Sequence, residues 1–176
     1  MKKLLIIFLP FFLTFVYIFS AMHSFHQVHK SIYYNDKQLS KNYIEWDEVR
    51  NNFKDFSNAY FMDEISKDKV YKELGGLGLL ATGLVSKFSD FLVDTYINSD
   101  GLSLLIEKSD KRSEIPEPNF KTLIGGISIM KFDSLNSFFV NLETDGEPIP
   151  VHFRRIGTKW KVTEIEFPKE LFDEIK

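Results

Sequence analysis

Three histidines, His23, His26 and His29, recur every third residue just after a long uncharged stretch. On a helix that spacing sets two of them on one face, as a bound metal would need. A metal also needs a third ligand and partners for the ring nitrogens, and the neighbouring sequence offers neither. The expectation is no metal, with the rings as polar aromatic residues at a membrane boundary. Gly76-Leu77-Gly78-Leu79-Leu80-Ala81 has the G-x-G-x-x-A form of a dinucleotide-binding turn. That turn works only after a buried strand in a βαβ unit. Here the preceding segment, SKDKVYKEL, is charged and helix-like, so no cofactor is expected.

A second group of polar residues lies near the C-terminus. His152, Arg154 and Arg155 fall on one predicted strand, with Lys159 and Lys161 across a hairpin, and such a cluster could hold an anionic group. Strand alternation puts Arg154 and Arg155 on opposite faces, so at most one joins His152. The plain alternative is solvated charge on a strand edge, with one arginine stem lying over Trp160. Arg154, Arg155, Trp160 and Gly78 are the candidate ligand-binding residues. Glu164 and Glu166 share a strand face about 7 Å apart, a spacing open to acid–base work. No aromatic sugar platform accompanies them, and no Ser-His-Asp order stands out. With no cysteine, thiolate chemistry and disulfides are excluded. No residue is singled out as catalytic, and an enzymatic role is not the favoured reading.

These residues must be positioned by the rest of a 176-residue chain, 44% hydrophobic and 27% charged, enough for one core and one folded domain. A net charge of −3 gives no basic footprint for nucleic acid. The N-terminal run Leu4–Met22, LLIIFLPFFLTFVYIFSAM, carries no charge and follows Lys2 and Lys3. Its nineteen residues span about 28 Å as a helix, close to a bilayer's hydrocarbon thickness. Pro10 is tolerable in a membrane helix. A cleaved signal peptide competes with this reading. Its apolar region would be shorter, and cutting after Ala21 or Ser20 leaves Phe19 or Ile18 where a small residue belongs. Residues 1–22 are therefore expected to be a membrane anchor. Under the positive-inside rule, 23–176 then form one domain outside the cytoplasm, with secretion after cleavage as the alternative. That domain carries all 25 Asp and Glu, so the helix rather than a basic surface would hold it at the membrane.

The domain reads as helices (23–107), a polar loop (108–119) and a sheet (120–168), hence α+β. Apolar spacing predicts a helix over 24–44 with a break at Asn35-Asp36, and a second helix capped by Asp47. A third helix runs to about Asn98 and contains the uncharged stretch Leu74–Ser86, LGGLGLLATGLVS, whose glycines cost helix stability. A short helix, LSLLI, follows the reset at Ser99-Asp100-Gly101. Four strands are then expected, LIGGISIMKF, SFFVNLET, PIPVHFRR and KWKVTEIEF. Trp160, Phe153, Phe138, Val140 and Leu142 should pack against Leu79, Leu80, Leu84 and Phe88 of the third helix.

Three ordered motifs resemble a bacterial membrane-anchored family, domain of unknown function 2939. Ile44-Glu45-Trp46-Asp47-Glu48-Val49-Arg50 is similar to its V-D-F-P-x-L-R, with Glu for Asp, Trp for Phe and Asp for Pro. The run 91–102, FLVDTYINSDGL, resembles L-V-D-x-x-V-T-P-E-G-L, and 153–168, FRRIGTKWKVTEIEFP, resembles L-R-R-x-G-x-x-W-x-L-x-x-I-x-L-P. The layout is more loosely similar to cone-shaped folds related to nuclear transport factor 2. The family resemblance implies an anchor and a helical segment but brings no catalytic residues. The sequence thus points to a tethered, non-catalytic domain. Its partners would be the membrane, through the helix, and an apolar small molecule, a lipid or a partner protein. An apolar ligand would sit in a cavity beneath Leu74–Ser86, where Gly78 leaves room. The alternatives are an assembly subunit of a membrane complex and an enzyme with a cryptic site.

Overall fold

The computed structural model describes residues 2–67, 83, 87, 90, 91, 93–108, 115–142 and 148–166. Its dominant element is helix α1, Lys2–Tyr33, 32 residues and about 48 Å long, with Pro10 inside it. The apolar run and the expected amphipathic helix are one continuous rod through residues 22 and 23. It ends where the sequence signals a break. Asn35 takes the left-handed conformation (φ 55°), and the Asp36 carboxylate accepts from the Leu39 N–H at 2.9 Å to cap α2, Lys37–Tyr43. The turn folds α2 back along α1.

Helix α3, Trp46–Lys67, starts one residue earlier than expected. Glu45 rather than Asp47 stands at its cap: the Glu45 carbonyl accepts from the Val49 N–H at 3.0 Å, and Asp47 sits in the first turn, where the helix dipole favours it. After the helical residues 93–96, the Asn98 side chain accepts from the N–H groups of Asp100 and Gly101, both at 2.9 Å, and opens α4, Ser99–Lys108.

Helix α5, Phe120–Ile129, occupies most of the expected first strand, leaving only Met130–Phe132 as β1. This corrects the strand expectation for LIGGISIMKF. Asn119 caps the helix, its side chain accepting from the Lys121 and Thr122 N–H groups at 2.9 and 3.1 Å. One of the two glycines, Gly126, serves a close crossing rather than a strand, while Gly125 faces open space. A Cβ on Gly126 would lie 2.7 Å from the Phe25 ring of α1.

Strands β2 (Ser137–Leu142), β3 (Ile149–Ile156) and β4 (Lys159–Ile165) complete a four-stranded antiparallel meander in the order β1-β2-β3-β4. Gly157 turns β3 into β4 at φ +63°, a conformation that suits glycine. The β4 edge is partly covered, because Ile44 bridges Val162 in parallel and the Glu45 N–H reaches the Val162 carbonyl at 2.8 Å. The fold is α+β, as expected.

Phe138, Val140, Phe153, Trp160 and Val162 form the buried sheet face. Phe138 and Phe153 stack at 4.6 Å, and Trp160 meets Phe138 edge-on at 5.3 Å. Leu142, expected in this core, is 40% exposed at the strand's end. The cover described for this face is α1 rather than the third helix. Phe25 meets Phe153 at 6.2 Å, and Tyr17 meets Trp160 at 5.4 Å. Leu79, Leu80, Leu84 and Phe88 lie outside the described residues.

Two outcomes follow. Phe138→Ala should cost about 3–5 kcal/mol in chemical denaturation of the full chain in detergent, and a loss below ~1 kcal/mol would place Phe138 outside the core. Lys37 lies 3.0 Å from Asp100, and its hydrogen bond and charge hold the Asp100 carboxyl below the usual range. A lowered folded pKa means that this contact stabilises above pH ~3.9, the unfolded value, and is lost as pH falls through the folded one. Asp100→Asn should flatten that acid limb of the stability profile; an unchanged limb would show that the contact contributes nothing.

Candidate functional site

Strand β3 is internal to the sheet, so its basic residues are not edge charges. Register pairs Arg154 with Lys161 and Arg155 with Trp160, which puts the two arginines on opposite faces. Arg154 turns away from α1 and pairs with Glu48 of α3. Lys161 reaches Glu45 at 2.7 Å. On the same face His152 stacks on Phe139 at 5.5 Å, and its Nε2 lies 2.6 Å from the Glu166 carboxylate. Arg154, Lys161 and His152 thus each have a carboxylate of their own, the first two fastening the sheet to the start of α3, while Lys131, on the same face, lies over the Phe139 ring at 5.8 Å. Glu164 faces His152 in register, and Glu166 is taken up by the His152 contact.

A bulge makes that arrangement possible. His152 pairs with Glu164 but Phe153 with Val162, so Thr163 is an extra, buried residue. Unbroken alternation would send Glu164 inward behind Trp160 and Val162. The bulge turns it outward and brings Ile165 in beside Val151. The Asn52 side chain donates to the Thr163 carbonyl at 3.0 Å and fastens the bulge to α3.

On the opposite face Trp160 is buried beneath α1. Its Nε1–H donates to Ser20 Oγ at 3.0 Å, and Ser20 donates in turn to the Tyr17 carbonyl at 2.7 Å. The Tyr17 hydroxyl donates to the Leu135 carbonyl at 2.8 Å, and its ring lies 5.5 Å from Phe132. Arg155 is exposed beside this group. Tyr17 and Ser20 were not among the candidates. Their signal was a stripe of small and polar residues, Tyr17, Ser20, Ala21, Ser24 and Val28, at helical spacing within the apolar run.

The three histidines do not converge on one point, although the His26 and His29 rings meet edge-on at 6.4 Å. His23 is exposed, 3.2 Å from the Gln27 amide, and His29 donates from Nε2 to the Pro116 carbonyl at 2.8 Å. Among the described residues no three His, Asp or Glu side chains converge on a metal position. Gly78 and the rest of the G-x-G-x-x-A run lie outside the described residues. Gly83, at the end of the same stretch, has open space where a Cβ would be.

The structure thus defines an α+β protein that has, among the described residues, one helix long and apolar enough to cross a membrane, and part of that helix is built into the core of the sheet. The chain belongs to the family described as protein of unknown function DUF2939, whose model matches residues 11–105. The match takes in α1 from residue 11, α2, α3 and most of α4, and the motifs at 44–50 and 91–102. The closing hairpin motif lies beyond it. No curated protein and no solved structure matches the chain.

Ser20→Ala removes the acceptor of a buried indole N–H and should cost about 1–3 kcal/mol. Combined with Trp160→Phe, which deletes the donor, the losses should be less than additive when unfolding is followed in detergent. Strict additivity would show that the two groups do not interact.

Proposed function

We propose that the chain is a single-pass membrane protein whose folded part stands outside the cytoplasm and acts by binding rather than by chemistry. The supporting observation is the division of α1. From Phe8 to Val16 its side chains are exposed, a surface of Phe, Leu and Val unsuited to water. From Tyr17 onward one face of the same helix enters the core, with Ala21 fully buried. Cleavage after Ser20 or Ala21 would take Tyr17 and Ser20 from beneath Trp160 and leave the indole without its acceptor. This favours an uncleaved anchor over a signal peptide. Lys2 and Lys3 assign the N-terminus to the cytoplasmic side.

The binding role rests on how the polar groups are used. Arg154, Lys161 and His152 are spent on carboxylates of the chain itself, which favours an apolar ligand, a lipid or a partner protein over a small anion on that face. A second reading, assembly with other membrane helices, is favoured by the exposed ring pairs Phe8–Phe12 and Phe15–Phe19, which offer a stacked aromatic surface.

The full-length chain should remain in the membrane fraction with its N-terminal residues intact by mass, and a reporter placed after residue 176 should be accessible from outside. A soluble product starting near residues 21–25 would overturn the anchor. Leu13→Arg with Val16→Arg should abolish integration, at about 2.5–3.5 kcal/mol for each central arginine.

A further inference from the structure

The end of the sheet from which α1 emerges carries both tight turns. The β1–β2 turn, 133–136, lies beside the end of β3, where the Arg155 N–H donates to the Asn136 carbonyl at 2.8 Å, and the β3–β4 turn at Gly157 follows directly. Tyr17 touches this end through Leu135, Phe132 and Trp160. The tip of the first turn is apolar: Leu135 is 81% exposed and Phe132 41%. Arg155 and Lys159 are exposed beside it, and among the described residues neither has a carboxylate partner, the Lys159 ammonium lying 5.3 Å over the Tyr43 ring. Asp133 is the acidic residue of the tip, and the Ser137 hydrogen bond keeps its carboxyl below the usual range.

Length then becomes decisive. Between Lys3 and Tyr17 lie about 13 apolar residues, or ~20 Å of helix, against a hydrocarbon core of ~30 Å. On the outward side the helix stays apolar beyond Tyr17, because Ile18 and Phe19 are exposed as well. A bilayer that accommodates the whole apolar surface of α1 therefore also reaches the sheet end.

We propose that this sheet end is a second membrane contact: Leu135 and Phe132 insert into the acyl–headgroup boundary, and Arg155 and Lys159 meet lipid phosphates. The inference rests on the anchor reading of α1 and commits to a lipid bilayer as the occupant. Both components are of the kind that hold interfacial segments, apolar side chains sunk a few ångströms below the headgroups and basic ones at their level. The tip is joined to the anchor without a linker, so its insertion requires no separate search for the surface.

The chain has no cysteine, so a single environment-sensitive fluorophore can be placed at will. Full-length protein carrying Phe12→Cys, Leu135→Cys or Tyr34→Cys, each exposed, is labelled and reconstituted into phosphatidylcholine vesicles with a minority of phosphatidylglycerol and nitroxide-bearing lipids. Position 12 should be quenched by deep nitroxides. Position 135 should lose most of its emission to shallow ones and shift to the blue, and position 34, at the far end of α1, should do neither. Quenching at 12 without quenching at 135 overturns the second contact and leaves the anchor standing. No quenching at 12 overturns the anchor and the inference with it. Quenching at 135 that survives Arg155→Glu with Lys159→Glu undiminished overturns the phosphate part alone.

Discussion

Helix α1 has to satisfy two environments with one unbroken backbone, and the rest of the structure is arranged around that demand. From Phe8 to Val16 its side chains are exposed all round. From Tyr17 the side facing the sheet narrows to Ser20, Ala21 and Ser24, residues small enough for a helix to lie close on an aromatic layer. Trp160, Phe138 and Phe153 form that layer. Burying an indole demands an acceptor for its N–H, and Ser20 supplies one from within an otherwise apolar run. Further along, Phe25 reaches Phe153 on one side and Gly126 on the other, so α5 is drawn against the same helix. The left-handed turn at Asn35 then returns the chain as α2 along α1. Without the middle of α1 these contacts have no common partner.

The charges are arranged differently. Glu48–Arg154, Glu45–Lys161 and His152–Glu166 lie at or near the surface, where single ion pairs contribute little stability. Their value is geometric. Glu48–Arg154 and Glu45–Lys161 fix the start of α3 against the outer face of the sheet, His152–Glu166 ties β3 to the end of β4, and the Ile44–Val162 bridge partly covers the β4 edge. Two independent fastenings thus hold the sheet, an aromatic one on the buried face and a polar one on the other.

Much of this was legible in the sequence, for identifiable reasons. The α+β order, the Asn35-Asp36 break, the three long strands and the core role of Trp160, Phe153, Phe138 and Val140 all follow from local turn chemistry and alternation. LIGGISIMKF is misleading because its β-branched residues and glycines argue for a strand, while the signal for a helix is the Asn119 cap four residues before it. The role of α1 in covering this face is hidden for a subtler reason. A run apolar enough for a membrane reads as wholly lipid-facing, and the stripe at Tyr17, Ser20, Ala21 and Ser24 carries too little polarity to stand out. Nor can spacing alone reveal the Thr163 bulge, since strict alternation fits KWKVTEIEF equally well and places Glu164 on the wrong face. Of the candidate site residues, Arg154 and Arg155 are separated by alternation alone, but the Arg154 partner, Glu48 of α3, and the Trp160 partner, Ser20 of α1, lie far away in sequence.

A linker between anchor and domain would let the folded part tumble above the bilayer and sample contacts at many heights. A continuous helix removes that freedom. The distance from Tyr17 back to Lys3 is fixed at 1.5 Å per residue, and the hydrogen bond from Tyr17 to Leu135 ties the sheet to one level on the rod. The height of the sheet is therefore set by the anchor and not by any affinity of its own. Lipid can relieve a short span by thinning, and the helix can relieve it by oligomerising, each at a fraction of a kcal/mol per ångström. Lowering an already apolar turn into the interface has no such penalty, because Leu135 and Phe132 gain by leaving water. If α1 is the anchor proposed above, the shortness of its free apolar segment and the exposure of the turn are two consequences of one arrangement, in which the helix that holds the core together also sets the height of the sheet.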